Sequence, residues 1–415
     1  MKLYVVAGEA SGDARGAELM TALRERLPDV EFLGAGGREM RRLGGDAIFD
    51  WADEAVVGLW DVLKNYGYFR RQFHRMLEEI SRVKPDALIT IDYPGFNMRL
   101  AKAAKSRMPT LRTIHYISPQ VWAWHRGRIS KMAKFLDLML CLFPFELPLY
   151  EGAGLRAVLV GHPLLDSLAE KLPPATASPA PAAPLPRPGK MRTHESQLSL
   201  GLDSASSPAP LQRADRDPSL VALLPGSRAK EVRKIFPVMI AAAARLRETR
   251  PALRFEAAAA SEALAVEMRL QLEIAGHPPE FCAVSLRTAH ELMQRAAAGM
   301  VCSGTATLES TFFGLPMVIL YKVAWLTWAV GKCLVKIPWL GLPNVLAGRE
   351  IIREFLQDTA DPDAIAAELQ RLLEDPAARE AQQRAQAEVI SSLGERGAAK
   401  RAAQAIATAM DQRGV

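Results

Sequence analysis

The sequence predicts an α/β protein of two α/β/α domains, each a mostly parallel sheet with helices on both faces, facing each other across a cleft. Three observations predict this. Short apolar runs that end in glycine, serine or aspartate alternate with longer stretches of helical period, the pattern of repeated βα units. The alternation runs twice, on either side of a Pro/Ala/Ser-rich stretch at 171–218. The chain has 415 residues, 49% of them apolar, which is enough for two domains of ordinary size.

The first domain is expected over residues 1–170. Its opening, MKLYVVAGEASGD, is an apolar run that stops at Gly8, followed by the helical ARGAELMTALRERL. Strand, glycine turn and helix form a βα unit, and in open sheets that turn faces the ligand crevice. The turn is not GxGxxG, so it carries no dinucleotide signature. Further strands are predicted at VEFLGAGG (30–37), PDALITID (85–92), TLRTIHYISPQ (110–120), DLMLCLF (137–143) and AVLVGHP (157–163). Helical stretches between them include FRRQFHRMLEEISRVK and FNMRLAKAAKSR.

Residues 171–218 lack a sustained period and are rich in Pro, Ala and Ser. Such composition buries too little apolar surface to offset ordering, so the stretch reads as a disordered linker or insert. Order returns over 219–365. VALLPG precedes the helix SRAKEVRKIFPVMIAAAARL, LRFEAAAA precedes ALAVEMRLQLEIA, and MVCSG precedes TATLESTFFG, with further strands at EFCAVS and PMVILYK. Residues 366–415 are rich in Ala, Glu, Gln and Arg and read as helices.

The formal charge of +6 and an isoelectric point of about 9.1 suit an anionic partner, or only ordinary solubility. Cys141, Cys282, Cys302 and Cys333 show no metal-type spacing and read as reduced core residues of a cytoplasmic protein. The first apolar run is too short for a secretory signal, and no run reaches bilayer length. No metal site and no cofactor are expected. No RNP, zinc-finger or GXXG context supports nucleic-acid binding.

Chemistry-bearing residues fall at the predicted strand ends. In LPGSR (224–228), Gly226 and Ser227 open a helix whose free N–H groups suit an anion, and Arg228 offers a planar fork to phosphoryl oxygens. The alternative is a plain serine cap beside a surface arginine. In SGTATLE (303–309), Ser303, Gly304 and Thr305 repeat the turn, and Glu309 lies one turn on. Thr305 suits a phosphate and Glu309 a ribose, or the pair is a cap with a helix-face acid. No GxxxxGK[ST] occurs, which argues against a Walker loop. Asp92 ends an apolar strand before the turn YPGFN, where it either caps the next helix or serves the cleft as a base. His115 and His162 are rivals for that role. The stretch 56–76 joins Leu59, Leu63, Tyr66 and Phe69 to Arg70, Arg71 and Arg75, which fits a lipid interface or a buried helix. A second such patch is 325–342.

Together, AGEASGD (7–13), IDYPGFN (91–97), YISPQVWAW (116–124), FPFE (143–146), GHPL (161–164), LPGSR (224–228), SGTATLE (303–309) and LPNVLAGRE (342–350) make a specific set. On these motifs the sequence closely resembles the bacterial lipid-A-disaccharide synthase family, inverting glycosyltransferases of family 19 with a GT-B-type fold of two Rossmann-like domains. The resemblance covers nearly the whole chain outside 171–218. It implies a donor, UDP-2,3-diacylglucosamine, and an acceptor, 2,3-diacylglucosamine 1-phosphate, whose 6-hydroxyl attacks the donor's anomeric carbon. The products are the β-1,6-linked lipid A disaccharide 1-phosphate and UDP, made without metal at the cytoplasmic face of a Gram-negative inner membrane. It implies Asp92 as general base, with Glu9 and His162 as further catalytic positions. It places the UDP-sugar at Ser11, Gly226, Ser227, Arg228, Ser303, Gly304, Thr305, Glu309 and Asn344. It also implies that the C-terminal segment crosses back onto an N-terminal domain, with homodimers that exchange this part. The competing readings are a UDP-sugar 2-epimerase of similar fold and a non-catalytic module that binds anionic lipid.

Overall fold

The computed structural model describes residues 1–51, 66–121, 126–169, 216–322 and 338–411. The Pro/Ala/Ser-rich segment expected to be disordered therefore lies outside the described residues, up to 215, as do Leu59, Leu63, Cys333 and most of the 325–342 patch.

The first sheet holds β1 (Lys2–Ala7), β2 (Glu31–Gly36), β3 (Ile48–Asp50), β4 (Ala87–Ile91), β5 (Arg112–Tyr116), β6 (Leu138–Cys141) and β7 (Ala157–Leu159). Their spatial order is 3-2-1-4-5-6-7, and every neighbouring pair is parallel. The second sheet holds β8 (Asp217–Leu224), β9 (Arg254–Ala259), β10 (Cys282–Leu286), β11 (Ala296–Cys302), β12 (Met317–Tyr321) and β13 (Glu354–Leu356), in the order 10-9-8-11-12-13, again all parallel. Central strands such as β4 are buried at every position, the mark of a sheet covered on both faces. β3 and β13, three residues each, escape a reading of the sequence, whereas the equally short β7 is legible through the longer apolar run AVLVGHP around it. β8 begins at Asp217, inside the stretch expected as linker.

Helices α1 (Ala10–Arg26), α2 (Arg38–Gly44), α3 (Tyr66–Val83), α4 (Pro94–Arg107), α5 (Ile129–Met132), α6 (Leu147–Glu151) and α7 (Leu164–Ala169) belong to the first half. The second half has α8 (Ala229–Thr249), α9 (Glu262–Ile274), α10 (Ala289–Arg295), α11 (Thr305–Phe312), α12 (Leu342–Ala347), α13 (Pro362–Glu374), α14 (Pro376–Ser392) and α15 (Ala398–Asp411). α1 starts at Ala10, so Ser11 and Asp13 lie in its first turn rather than in a loop.

In each sheet the chain reverses its direction of travel between two central strands. These switch points lie between β1 and β4 and between β8 and β11. Helices that follow such strands leave on opposite faces, so a crevice opens at the strands' carboxyl ends. Gly8–Asp13 and Asp92 stand at the first crevice, and Gly226–Arg228 and Ser303–Thr305 at the second.

The C-terminal helices divide between the two halves. α13 and α14 stay with the second sheet. Gln382 accepts from the Met317 N–H at 2.7 Å and donates to the Met317 carbonyl at 3.1 Å, and Gln386 donates to the Leu315 carbonyl at 2.8 Å. The chain then turns through Gly394 and Gly397, both at positive φ. α15 packs on α1 of the first half. Asp166 accepts from the Gly397 and Ala398 N–H groups at 2.7 and 3.1 Å, which secures the start of α15. Arg401 donates to the Val160 carbonyl at 2.9 Å, and Arg112 to the carbonyl of Ala409. The crossing thus falls near 393–397, well past residue 366. α7 and α11 meet directly, and Leu165, Leu168, Leu308 and Ile406 share one apolar core.

Candidate functional site: a cleft between two switch points

A cavity of about 1410 Å³ lies between the halves. Ser11, Asp92 and His162 reach it from the first half, Thr305 and Glu309 from the second. Glu9, Gly226, Ser227, Arg228, Ser303, Gly304 and Asn344 are not on its wall.

The carboxylates of the opening motif have separate duties. Asp13 is buried, and its two oxygens accept from the N–H groups of Gly37, Glu39 and Met40 at 2.8–3.0 Å. It therefore caps α2, and three N–H partners stabilise its charge there. Glu9 is the residue before α1 and stays partly open. Burial raises its pKa first, the nearby Asp92 charge raises it further, and Arg228 opposes both. Gly8 is required by close approach: a Cβ there would lie 2.5 Å from the Tyr93 ring.

Asp92 and Tyr93 both adopt left-handed backbone, with φ of 48° and 45°. That conformation costs non-glycine residues roughly 1–3 kcal/mol each, and a following proline disfavours it further at Tyr93. Asn97 offsets part of this. It is wholly buried, and its amide donates to the carbonyls of Ile91 and Asp92 at 3.0 and 2.8 Å. The turn places the Asp92 side chain on the cavity wall. Burial raises its pKa, partly offset by the Tyr93 N–H. A carboxylate destabilised in this way is a better proton acceptor at neutral pH than an ordinary aspartate. The residue before α4 is Tyr93, and no side chain caps the helix, so Asp92 is not the N-cap.

Burial lowers the pKa of both candidate histidines, but only one of them reaches the cavity. His115 is buried, its Nδ1 lies 2.8 Å from the Thr90 hydroxyl, and burial lowers its pKa to about 3. It belongs to the core. His162 lines the cavity, with its pKa lowered to about 4 by burial and then by Arg15. Its Nδ1 accepts from the Leu164 N–H at 3.1 Å. The neutral ring must then carry its proton on Nε2, which makes His162 a hydrogen-bond donor rather than the base.

On the second half, LPGSR gives an open turn. Gly226 sits at φ +106°, and a Cβ there would meet a Glu231 oxygen at 2.5 Å. Arg228 precedes α8 as its N-cap, is 62% exposed at its side chain, and donates to Glu231 at 3.2 Å. No side chain caps α8, and the Glu231 N–H turns back to the Arg228 carbonyl at 2.9 Å, which leaves the Ala229 and Lys230 N–H groups as the ones suited to an anion. At the second turn, Ser303 donates to the Leu340 carbonyl at 3.4 Å, and Gly304 is the residue before α11. Glu309 lies 3.3 Å from His290 of α10. The sequence offered no signal for that partner, because it comes from another helix.

Two expected contacts have other roles. Asn344 is buried and fully engaged: it donates to the Ile352 carbonyl and Glu354, and accepts from the N–H groups of Ile351 and Ile352, at 2.7–2.9 Å. It shapes the loop before β13 and has no side-chain atom left for a nucleotide. Phe69 is 8% exposed and packs edge-on to Trp51, so it is core rather than lipid-facing. Arg70, Arg71 and Arg75 are all exposed, and Arg75 lies over Phe49, 4.0 Å from the ring centroid. The Tyr66 side chain, Leu59 and Leu63 lie outside the described residues.

The buried Glu146 of FPFE is a structural anchor that sequence reading left without a role. It accepts from the Ser118 hydroxyl at 2.5 Å and from the N–H groups of Leu142 and Phe143 at 3.1 Å, tying the ends of β5 and β6 together. Among the described residues, no group of three or more His, Cys, Asp or Glu side chains is arranged to hold a metal ion. No described helix is long and apolar enough to cross a membrane.

Several solved structures resemble this one at low sequence identity. A putative UDP-N-acetylglucosamine 2-epimerase from Listeria monocytogenes superposes with a TM-score of 0.61 at 12% identity, covering 99% of this chain and 97% of that one. The calicheamicin glycosyltransferase CalG4 gives 0.51 at 15%, covering 100% and 98%. These likenesses speak to the fold alone: two α/β domains with parallel sheets flanked by helices. Sequence relatives are much nearer. The lipid-A-disaccharide synthase of Geobacter sulfurreducens is 38% identical over 402 residues, 97% of this chain and 95% of its own length. That of Pseudomonas aeruginosa strain UCBPP-PA14 is 39% identical over 375 residues, 90% of each. The family profile described as lipid-A-disaccharide synthetase matches residues 3–179 and 206–409. With that match spanning both sheets, both switch points and the crossing helix, the chain belongs to the lipid-A-disaccharide synthase family.

Proposed function

We propose that this glycosyltransferase joins two acylated glucosamines by direct displacement across the cleft, in a GT-B-type arrangement. The donor is UDP-2,3-diacylglucosamine and the acceptor 2,3-diacylglucosamine 1-phosphate. The acceptor lies against the first half, with its 6-hydroxyl at Asp92. Asp92 removes the hydroxyl proton as the oxygen attacks the donor's anomeric carbon from the face opposite UDP, which inverts that centre. The observation that carries this reading is one cavity lined by a half-buried aspartate of raised pKa on one side and by Thr305 and Glu309 on the other.

The leaving diphosphate needs charge stabilisation as the bond breaks. The free N–H groups at the starts of α8 and α11, with Arg228, supply it without a metal. Glu309, oriented by His290, accepts from the ribose hydroxyls. Ser11 and the Nε2–H of His162 approach the sugar from the first half, and Glu9 keeps Arg228 near the cleft when UDP is away. The water-insoluble acyl chains suit a site of action on the cytoplasmic surface of the inner membrane of a Gram-negative bacterium, and the docking of α15 on α1 offers an element for exchange between subunits of a homodimer.

The test is mass spectrometry of the products formed from the two diacyl sugars. A disaccharide 1-phosphate with release of UDP is expected. Interconversion of a soluble UDP-sugar without disaccharide would favour the epimerase reading, and lipid binding without turnover the non-catalytic one.

A further inference from the structure

We propose that the arm of the cavity between α4 and residues 126–134 is the subsite for the acceptor's phosphate monoester, with Arg99, Lys102 and Lys131 as its principal contacts. The inference rests on the transfer reading above for the identity of the ligand, and on independent geometry for the site. α4 lines the cavity along one face: Gly95, Met98, Arg99, Lys102, Lys105 and Ser106 all reach it, at the i, i+3, i+4, i+7 spacing of a single helical stripe. The stripe begins beside Asp92 and runs away from it. At about 1.5 Å per residue, Arg99 stands ~7.5 Å along the axis from Pro94, a separation suited to a phosphate across one pyranose ring from the hydroxyl at Asp92.

The opposite wall carries Arg128, Lys131 and Lys134. Lys105 is paired with Asp137 at 2.7 Å and also donates to the Leu111 carbonyl. Arg99, Lys102, Arg128, Lys131 and Lys134 have no acidic partner among the described residues, although ion pairs are frequent elsewhere on the surface, from Arg15–Glu18 to Arg371–Glu368. Among the described residues, Asp92 and Glu309 are the acids on the cavity wall, and both lie toward the reacting end. Positive charge is thus concentrated in one arm and left uncompensated, which favours a dianion. Met98, Met132 and Phe135 line the same arm and give apolar contact beside the charge, as a phosphorylated amphiphile requires. The exposed arginines of α3 lack this cavity: Arg75 is spent on Phe49.

The experiment replaces the three cations together (Arg99→Gln, Lys102→Gln, Lys131→Gln) and compares 2,3-diacylglucosamine 1-phosphate with the same sugar lacking phosphate, in neutral detergent micelles. Binding is read by calorimetry and turnover separately. All three side chains are exposed, and an unchanged melting temperature and UDP affinity verify the fold. The parent is expected to prefer the phosphorylated sugar by at least tenfold in Kd, and the variant to lose most of that preference. A variant that keeps the preference overturns the assignment. A variant that keeps it while losing co-sedimentation with anionic phosphatidylglycerol vesicles reassigns the cations to the bilayer surface and also overturns it. A parent that binds with phosphate selectivity but makes no disaccharide upholds the subsite and overturns the transfer reading instead.

Discussion

After β4 the chain makes two consecutive left-handed residues held by a buried amide, whereas after β8 and β11 it makes glycine turns with exposed ends. Both halves share the strand order 3-2-1-4-5-6 through their first six strands, so both crevices arise from the same topology. What fills them differs. A group that removes a proton must be fixed and poorly solvated, and the first half spends backbone strain and the buried Asn97 on placing Asp92. A group that receives a diphosphate needs free N–H donors and a cation with room to move, and the second half leaves Arg228 mostly exposed. The contrast teaches that one architecture is divided between reaction and recognition by how rigidly each turn is held.

The largest effect should come from the rigid side. Asp92→Asn is expected to lower turnover by about 10²–10⁴-fold, the range for a lost general base, with calorimetric UDP affinity nearly intact. Near-parental turnover would move the base to Glu9. Arg228→Ala should do the reverse, weakening UDP binding by about 1.5–3 kcal/mol as for a charged hydrogen bond. Unchanged UDP affinity would leave Arg228 as the partner of Glu231 alone. Asn97→Ala tests whether the rigidity matters: loss of the amide from the buried Ile91 and part-buried Asp92 carbonyls should destabilise the fold by about 1–3 kcal/mol in denaturant melts. It should also shift the acid limb of the rate profile downward, because a loosened Asp92 is better solvated.

A smaller, signed effect follows from the raised pKa of Asp92. Ionising a carboxyl whose folded pKa is raised costs the folded state. The neutral form's advantage is fully present below the ordinary aspartate value and is lost as pH rises through the raised one. Asp92→Asn removes that cost, so its melting temperature should exceed the parent's at neutral pH and converge with it at acid pH. A lower melting temperature at neutral pH would mean that the carboxylate holds the turn together after all. The smallest effect is expected from deleting residues 180–205, which the family profile passes over. Steady-state turnover should remain within a few-fold of the parent, and its complete loss in a folded variant would make that stretch part of the machinery.

Much of this molecule was legible in its sequence. Apolar runs, most of them ending in small residues, announced eleven of the thirteen described strands, because a strand buried on both faces must be largely apolar and its exit turn compact. The same grammar put Asp92, Gly226–Arg228 and Ser303–Thr305 at strand ends, and the topology then gathered those ends at two switch points. Tertiary structure alone decided what each side chain touches. AGEASGD shows two carboxylates that look alike, yet Asp13 is used up on the N–H groups of α2 while Glu9 stays partly open beside Asp92. LPNVLAGRE contains an asparagine suited to a ligand, but its loop folds around it and takes every hydrogen-bonding position. The aromatic–basic stretch 56–76 reads equally as a lipid interface or a buried helix, and Trp51 from outside that stretch draws Phe69 into the core. FNMRLAKAAKSR reads only as a helix, and its basic stripe gains an opposite wall from residues 126–134. The physical reason is common to all four: local sequence sets backbone conformation and which residue types lie near one another, whereas burial, partner and charge balance depend on segments distant in the chain.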